Sequence, residues 1–469
     1  RSDMTIKSLQ STSLTNNVFY RSVLAGNSPP VAQGYYFGIS DFATTTRAAI
    51  AFTANNRLVG YASDGPSGDV GTIVQLDGAG TVLTKKDIRA NVGGGTNSSR
   101  VVLANTISGT DYLGVEEDST GNADATFVKL ASNGAITWQR RLSLGTGSSN
   151  SVRCQDVTAD SSGNVYGLAR NEVDGSVEIA KWNSSGVVQW QKKYTMSGTG
   201  SLGGANGSLS LDSSGNLYMY LDCKDVASGY DDKTSVNKLS STDGTITWTK
   251  YYQYANDSSF TTGVVDSSGN SYITSRAQSG PGTFDNWGLP IVKYNSSGVF
   301  QWEVNMVYST TTAMSSKPTK PVIDSSGNAI VCAVVGDGLD GLAIYSVSPT
   351  GSINWQRTLD FTTGSARPVL GTESSLNIVD DNVYLGFGWS DGNVEQMSFV
   401  FPADGSFTGT YTDGSTTVVV SASSLYNYSA FSQFTPTNAI TASSSAFTEG
   451  AGALALFDRT YTLNLLELT

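Results

Sequence analysis

One short unit recurs seven times along the chain, and it constrains the fold more than any other feature. It is clearest at residues 181–192 (KWNSSGVVQWQK): a strand, a tight polar turn, then a second strand carrying a tryptophan. Versions stand at 129–139 (KLASNGAITWQ), 238–249 (KLSSTDGTITWT), 293–303 (KYNSSGVFQWE) and 345–356 (YSVSPTGSINWQ), with weaker copies at 75–84 and 400–409. The turn glycines Gly80, Gly134, Gly186, Gly244, Gly298, Gly351 and Gly405 are separated by 54, 52, 58, 54, 53 and 54 residues. A period of this size marks a repeat architecture in which each unit buries its apolar face against the next.

Each unit has four strand-like parts. In the third, 151–157 alternates as a strand, and Asp160-Ser161-Ser162-Gly163-Asn164 makes a turn. Strands at 165–169, 177–182 and 187–194 follow, the last two joined by the turn at 183–186. The first turn recurs at 212–216, 266–270 and 324–328, with a reduced copy at 380–382. Aspartate early and Gly or Asn late is hairpin chemistry, because the late position needs a positive φ. No stretch shows sustained helical periodicity. Four antiparallel strands per unit, seven times over, predict an all-β, seven-bladed β-propeller over residues 35–412. Residues 1–34 precede it as an N-terminal arm and 413–469 follow it as a β-rich extension, with strands expected at 416–421, 425–431, 453–457 and 461–468. That extension could close the ring with the strand candidate at 35–42, build part of an eighth blade, or dock on a partner chain.

Composition narrows the chemistry. Charged residues are only 14%, and the net charge is −12, which argues against a nucleic-acid partner or an anionic membrane surface. There is no histidine, so the commonest general base and metal ligand is missing. Cys154, Cys223 and Cys332 are sparse, odd in number and far apart, which predicts buried free thiols. No apolar run approaches the roughly 18 residues of a membrane span, and no leader is legible at Arg1, so no membrane insertion is expected. The Asp-Ser-Ser-Gly-Asn turns hold too few carboxylates for a calcium loop, and no metal or cofactor is expected. The acidic pairs Glu116-Glu117, Asp231-Asp232 and Asp380-Asp381 fall on strands, where neighbours point to opposite faces, or in turns. No catalytic residues are assigned.

The recurring Trp138, Trp190, Trp248, Trp302 and Trp355 read as packing devices between neighbouring blades, each N–H held by a fixed partner. The recurring Lys129, Lys181, Lys238 and Lys293 read as solvated or edge-strand charges. In a four-stranded blade, the two kinds of short turn share one face of the disc, and the loops of variable length emerge on the other. Recognition tends to sit on variable loops carried by a rigid scaffold. Tyr230, Phe284, Trp287 and Trp389 are therefore the candidate binding residues.

Residues 160–166 and 181–190 carry the patterns D-x-x-G-N-x-Y and K-x-x-x-x-G-x-x-x-W. They resemble the tryptophan-bearing repeats of the pyrroloquinoline-quinone-type propeller superfamily and related bacterial propeller repeats, over roughly 44–412. Quinone dehydrogenases of that superfamily use vicinal cysteines and a calcium site; this chain has no adjacent cysteines. Separately, 11–30 (STSLTNNVFYRSVLAGNSPP) resembles the opening segment of virion structural proteins of tailed bacteriophages, particularly marine cyanophages. That resemblance implies a non-enzymatic virion component, a tail fibre or surface appendage, oligomeric in the particle. Its arm and C-terminal extension would dock on other virion proteins, and its loop face would meet a host-surface glycan or protein. The alternatives are a secreted or envelope bacterial propeller acting as adhesin or assembly scaffold, and a polysaccharide lyase or hydrolase.

Overall fold

The computed structural model describes residues 33–37, 51–53, 57–63, 69–76, 82–90, 97–119, 122–144, 151–196, 201–224, 232–254, 257–278, 287–307, 318–335, 341–361, 367–369, 375–390, 394–412, 417–422, 426–427, 431–434, 440–444, 448–451, 454–458 and 464–468. These build seven four-stranded antiparallel blades in a ring, with no helix among the described residues. Blade 3 is representative. Val152–Ala159, Val165–Asn171, Val177–Trp182 and Val188–Met196 run outward from the axis, each paired with the next. Alternate residues of its second strand face opposite neighbours. Val165 and Ala169 join a core with Phe127, Trp138 and Leu142 of blade 2, while Tyr166 and Leu168 join one with Leu209, Leu217 and Met219 of blade 4. The core is thus a series of sheet-on-sheet interfaces around the ring.

The ring closes with a strand from the other end of the chain. The first three strands of blade 7 come from residues 367–402, and its fourth is Gln33–Phe37, antiparallel to Val394–Pro402. The segment after Gly405 does not take that place. Phe407 is buried, stacked on Phe401 at 4.2 Å and edge-on to Trp355 at 6.0 Å. This anchor carries the following residues off the blade toward the rim.

The described residues after 412 form neither an eighth blade nor a separate layer. They run back around the outside of the disc and add a fifth strand to every blade in reverse chain order. Thr417–Ala422 pairs with the outer strand of blade 6, Tyr426–Asn427 with blade 5 and Phe431–Phe434 with blade 4. Ile440–Ser444 follows on blade 3, Thr448–Ala451 on blade 2 and Leu454–Asp458 on blade 1. Asn464–Leu468 then covers Gln33–Phe37 on blade 7. Gly409–Thr412 pairs with both Thr417–Ala422 and Asn464–Leu468, so the belt meets itself. Four strands were expected here and seven form among the described residues, those at Thr417–Ala422 and Leu454–Asp458 within one residue of their expected spans, because each reaches only as far as one blade edge. An open outer edge is a template for unwanted pairing, and a short strand laid along it removes that hazard.

Candidate functional site

The two faces of the disc are built differently. On the turn face, the sequence repeat is one interlocking contact. The Trp138 N–H and Lys129 Nζ of blade 2 both donate to the Ser184 carbonyl in the turn of blade 3, each at 3.2 Å. The same pair recurs from Trp190 (3.2 Å) and Lys181 (2.9 Å) to Ser241, and from Trp302 (2.9 Å) and Lys293 (2.8 Å) to Pro349. Trp355 donates to Ala403 at 2.9 Å, and Trp248 packs over Gly298. Gly186, Gly244, Gly298, Gly351 and Gly405 have positive φ and lie under the preceding blade's tryptophan; a Cβ on Gly244 would stand 2.9 Å from Trp190. Lys181 and Lys293 also sit 5.0 Å over the rings of Tyr166 and Tyr272. Burial lowers the pKa of both lysines, and the nearby aspartate offsets part of it. Lys181 and Lys293 are therefore part-buried staples between blades rather than solvated charges, while Lys129 and Lys238 reach the next blade's turn from exposed positions.

Blade 1 has no tryptophan and uses Arg57 instead. This arginine is 1% exposed, pairs with the buried Asp111 of blade 2 and donates to the Ala131 and Ser132 carbonyls of that blade's turn. The remaining turn motif is braced from within. Asp160 Oδ1 accepts from the amides of Ser162 and Asn164 at 3.0 and 2.9 Å, and Oδ2 from the Asn164 side chain at 2.8 Å. Asp212, Asp266 and Asp324 repeat these bonds. No cluster of three metal-ligating side chains occurs among the described residues, and all three cysteines are buried and free.

Along the axis, a polar brace crosses the ring. Asp156 of blade 3 is 5% exposed. Its Oδ1 accepts from Asn105 Nδ2 of blade 2 (3.0 Å) and the Val157 amide (2.8 Å). Its Oδ2 accepts from the Leu209 amide of blade 4 (2.8 Å) and from Lys320 (2.6 Å), which comes from the lead-in to blade 6 and also donates to the Leu209 carbonyl at 2.6 Å. Four blades thus share one carboxylate, which ties opposite halves of the ring together at that level.

The loop face carries a second set of charges. Four residues after the repeat tyrosines Tyr112, Tyr166, Tyr218 and Tyr272 stand Glu116, Arg170, Asp222 and Arg276, alternating in sign over blades 2 to 5. The same positions in blades 6 and 7 are Val334 and Gly388. Glu116 pairs with Arg153 of blade 3 at 2.8 Å, and Glu172 lies 3.5 Å from Arg153 and 3.9 Å from Arg170. Burial pulls the Arg153 guanidinium down, but Glu116 and Glu172 outweigh it and leave it above its usual value. For Arg170 burial prevails and its pKa falls. On the other side of the same strand of blade 2, Glu117 is 4% exposed. Burial raises its pKa, while a hydrogen bond from Thr126 and the charge of Arg141 pull it back. Its cross-strand neighbour Asp124 is raised by burial too. Glu116 and Glu117 therefore serve different blade interfaces, and Asp381 accepts from the Ser325 amide and hydroxyl of blade 6 on the turn face.

Of the candidate binding residues, Tyr230 and Phe284 lie outside the described residues. Trp287 opens the third strand of blade 5, opposite Gln278, and Trp389 lies near the end of the second strand of blade 7, opposite Glu395. Both strand ends point to the loop face, with blade 6 between them. The charged half-ring was not singled out from sequence. Aligning the units on their tyrosines, rather than on their tryptophans, brings its alternation into register.

No protein-family model matches the chain, and no curated protein matches it. Among solved structures, it is similar to a protein of unknown function from Dyadobacter fermentans (TM-score 0.37, 8% identity, 67% of this chain and 97% of that one). It is also similar to a DUF4623 family protein from Bacteroides eggerthii (TM-score 0.31, 10% identity, 79% of this chain and 77% of that one).

Proposed function

We propose that this chain is a non-enzymatic recognition propeller of a tailed-phage virion, a tail fibre or surface appendage, whose loop face meets a host-surface glycan or protein. The observation carrying this reading is how the surfaces divide. The turn-face staples join blade to blade, and the rim edges are paired by the chain's own tail. The loop face is where variable connections meet a half-ring of mixed charge (Glu116, Arg153, Arg170, Glu172, Asp222, Arg276). A rigid scaffold with one such face suits binding better than turnover. Docking on other virion proteins falls to the arm before Gln33; Gln33–Phe37 itself lies in blade 7 beside the last belt strand. Mass spectrometry of purified virions, with an antibody to the propeller for imaging, tests the assignment. Stoichiometric signal on a tail or appendage supports it; absence from particles with recovery from medium or cell envelope transfers the reading to a bacterial adhesin or scaffold.

A further inference from the structure

Phe260 has φ +59° within the first strand of blade 5. The other non-glycine residues with positive φ among those described are Ser108, Asp380 and Asp381, all in turns. A left-handed backbone at a bulky residue is strained, and glycine would carry it without cost. Such strain persists only where the surroundings over-determine it, and it gathers at functional sites. Here blade 4 supplies the constraint. Asp222, 3% exposed, accepts from the Phe260 amide through Oδ2 at 2.9 Å and from the Thr261 amide through Oδ1 at 2.7 Å. Thr261 is held in turn by Thr234, hydroxyl to hydroxyl, at 2.9 Å. The pairing register with the second strand shifts between Ser259 and Thr262, so Phe260 sits in a bulge.

The result is an aromatic ring fixed beside a cation on the loop face. The Arg276 guanidinium carbon lies 5.0 Å from the centre of the Phe260 ring, and both side chains stay partly exposed. The inner strands of blades 2, 3 and 4 also shift register, around residues 102, 155 and 203–206, without a described non-glycine residue of positive φ. Blade 5 alone among them places an aromatic residue this way.

We propose that Phe260 and Arg276 form a subsite for a carboxylate-bearing sugar, a deepening that rests on the recognition reading above. The side of the ring turned away from Arg276 would pack against the C–H surface of a pyranose ring, and the guanidinium would take its carboxylate through two parallel N–H bonds. The ring held under the guanidinium keeps that fork oriented. Asp222, already engaged by two backbone amides, fixes the ring's position rather than touching the sugar.

The test is calorimetric titration of the full chain with oligogalacturonate and with its methyl ester, in low and in physiological salt. The expected result is binding that weakens at least tenfold on esterification and weakens with salt. Phe260→Gly and Arg276→Gln should each lower affinity at least tenfold. The unfolding midpoint of Phe260→Gly should hold or rise, because glycine relieves the strain. The proposal is overturned if the wild-type chain does not bind oligogalacturonate, if ester and acid bind alike, or if Phe260→Gly binds as tightly as wild type. Fluorescent labelling of host cells by the full chain separates the two readings. Labelling without any response to the acidic sugar removes this subsite and leaves surface recognition standing.

Discussion

The turn face and the rim both hold the blades in their ring, by opposite means. On the turn face the contact is written in side chains. Lys181, Trp190 and Gly244 meet at one point because a carbonyl, an indole and a bare Cα have to coincide there. On the rim the contact is main chain to main chain, and strands as different as Thr417–Ala422, Phe431–Phe434 and Thr448–Ala451 serve the same purpose. A contact that demands particular atoms leaves a period in the sequence. A contact that any extended segment can make leaves almost none.

The largest test of this comparison removes the rim altogether. A chain ending at Thr412 should still form blades but lose roughly 10 °C or more in unfolding midpoint, since each lost main-chain bond contributes on the order of 1 kcal/mol. It should also self-associate through its exposed outer strands. Monomeric behaviour in sedimentation with an unchanged midpoint would show that the belt is decoration. Next is the staple built as a buried ion pair. Arg57→Met removes the counter-ion of Asp111, which is 0% exposed and also accepts from the Thr53 and Thr106 hydroxyls, and should cost about 3–5 kcal/mol by denaturant unfolding.

Trp190→Ala should cost about 2–3 kcal/mol and Trp190→Phe about 1 kcal/mol, the difference separating ring packing from the N–H bond. Equal losses would show that the indole N–H carries the whole contact. The turn glycines divide in the same spirit. Gly215 and Gly244 share a positive φ, yet a Cβ on Gly215 meets nothing within 4 Å, while one on Gly244 meets Lys192, Trp190 and Tyr194 inside 3 Å. Gly215→Ala should cost about 1 kcal/mol from backbone strain alone, and Gly244→Ala about 2–3 kcal/mol. The smallest effect is electrostatic. Burial raises the Glu117 pKa in the folded chain, so the native state binds its proton more tightly than the unfolded state does. Stability from this group is present below the unfolded value of about 4.5 and falls as pH rises through the folded pKa. Glu117→Gln should therefore gain stability at pH 7–8 relative to wild type and gain nothing near pH 4.

How much was legible follows the same division. The strand at Val177–Trp182 coincides with its expected span, and the neighbouring strands of blade 3 differ by two residues at most. The tryptophans and Asp-Ser-Ser-Gly-Asn turns mark every step of the ring from blade 2 to blade 6. Lys181 and Lys293 differ from the solvated reading because a cation followed by a turn looks solvated until the next blade's carbonyl arrives beside it. Arg57 was invisible as a staple because it replaces a lysine and a tryptophan from a different strand. On the loop face, Trp287 and Trp389 were chosen for being aromatic in variable loops, whereas Phe260 stands inside a strand and is distinguished only by its backbone angle.

The sequence by itself determined the number of blades, the hairpin chemistry of their turns and the side chains that step from one blade to the next. Those contacts are local or recur from blade to blade, so chance similarity cannot hide them. Tertiary structure alone decided the events that happen once. Gln33–Phe37 completes blade 7, the tail travels against the chain around the rim, and Lys320 reaches Asp156 across 164 positions of sequence. A single long-range contact leaves no period, and a main-chain pairing leaves no residue preference, so both become visible only when the ring has closed.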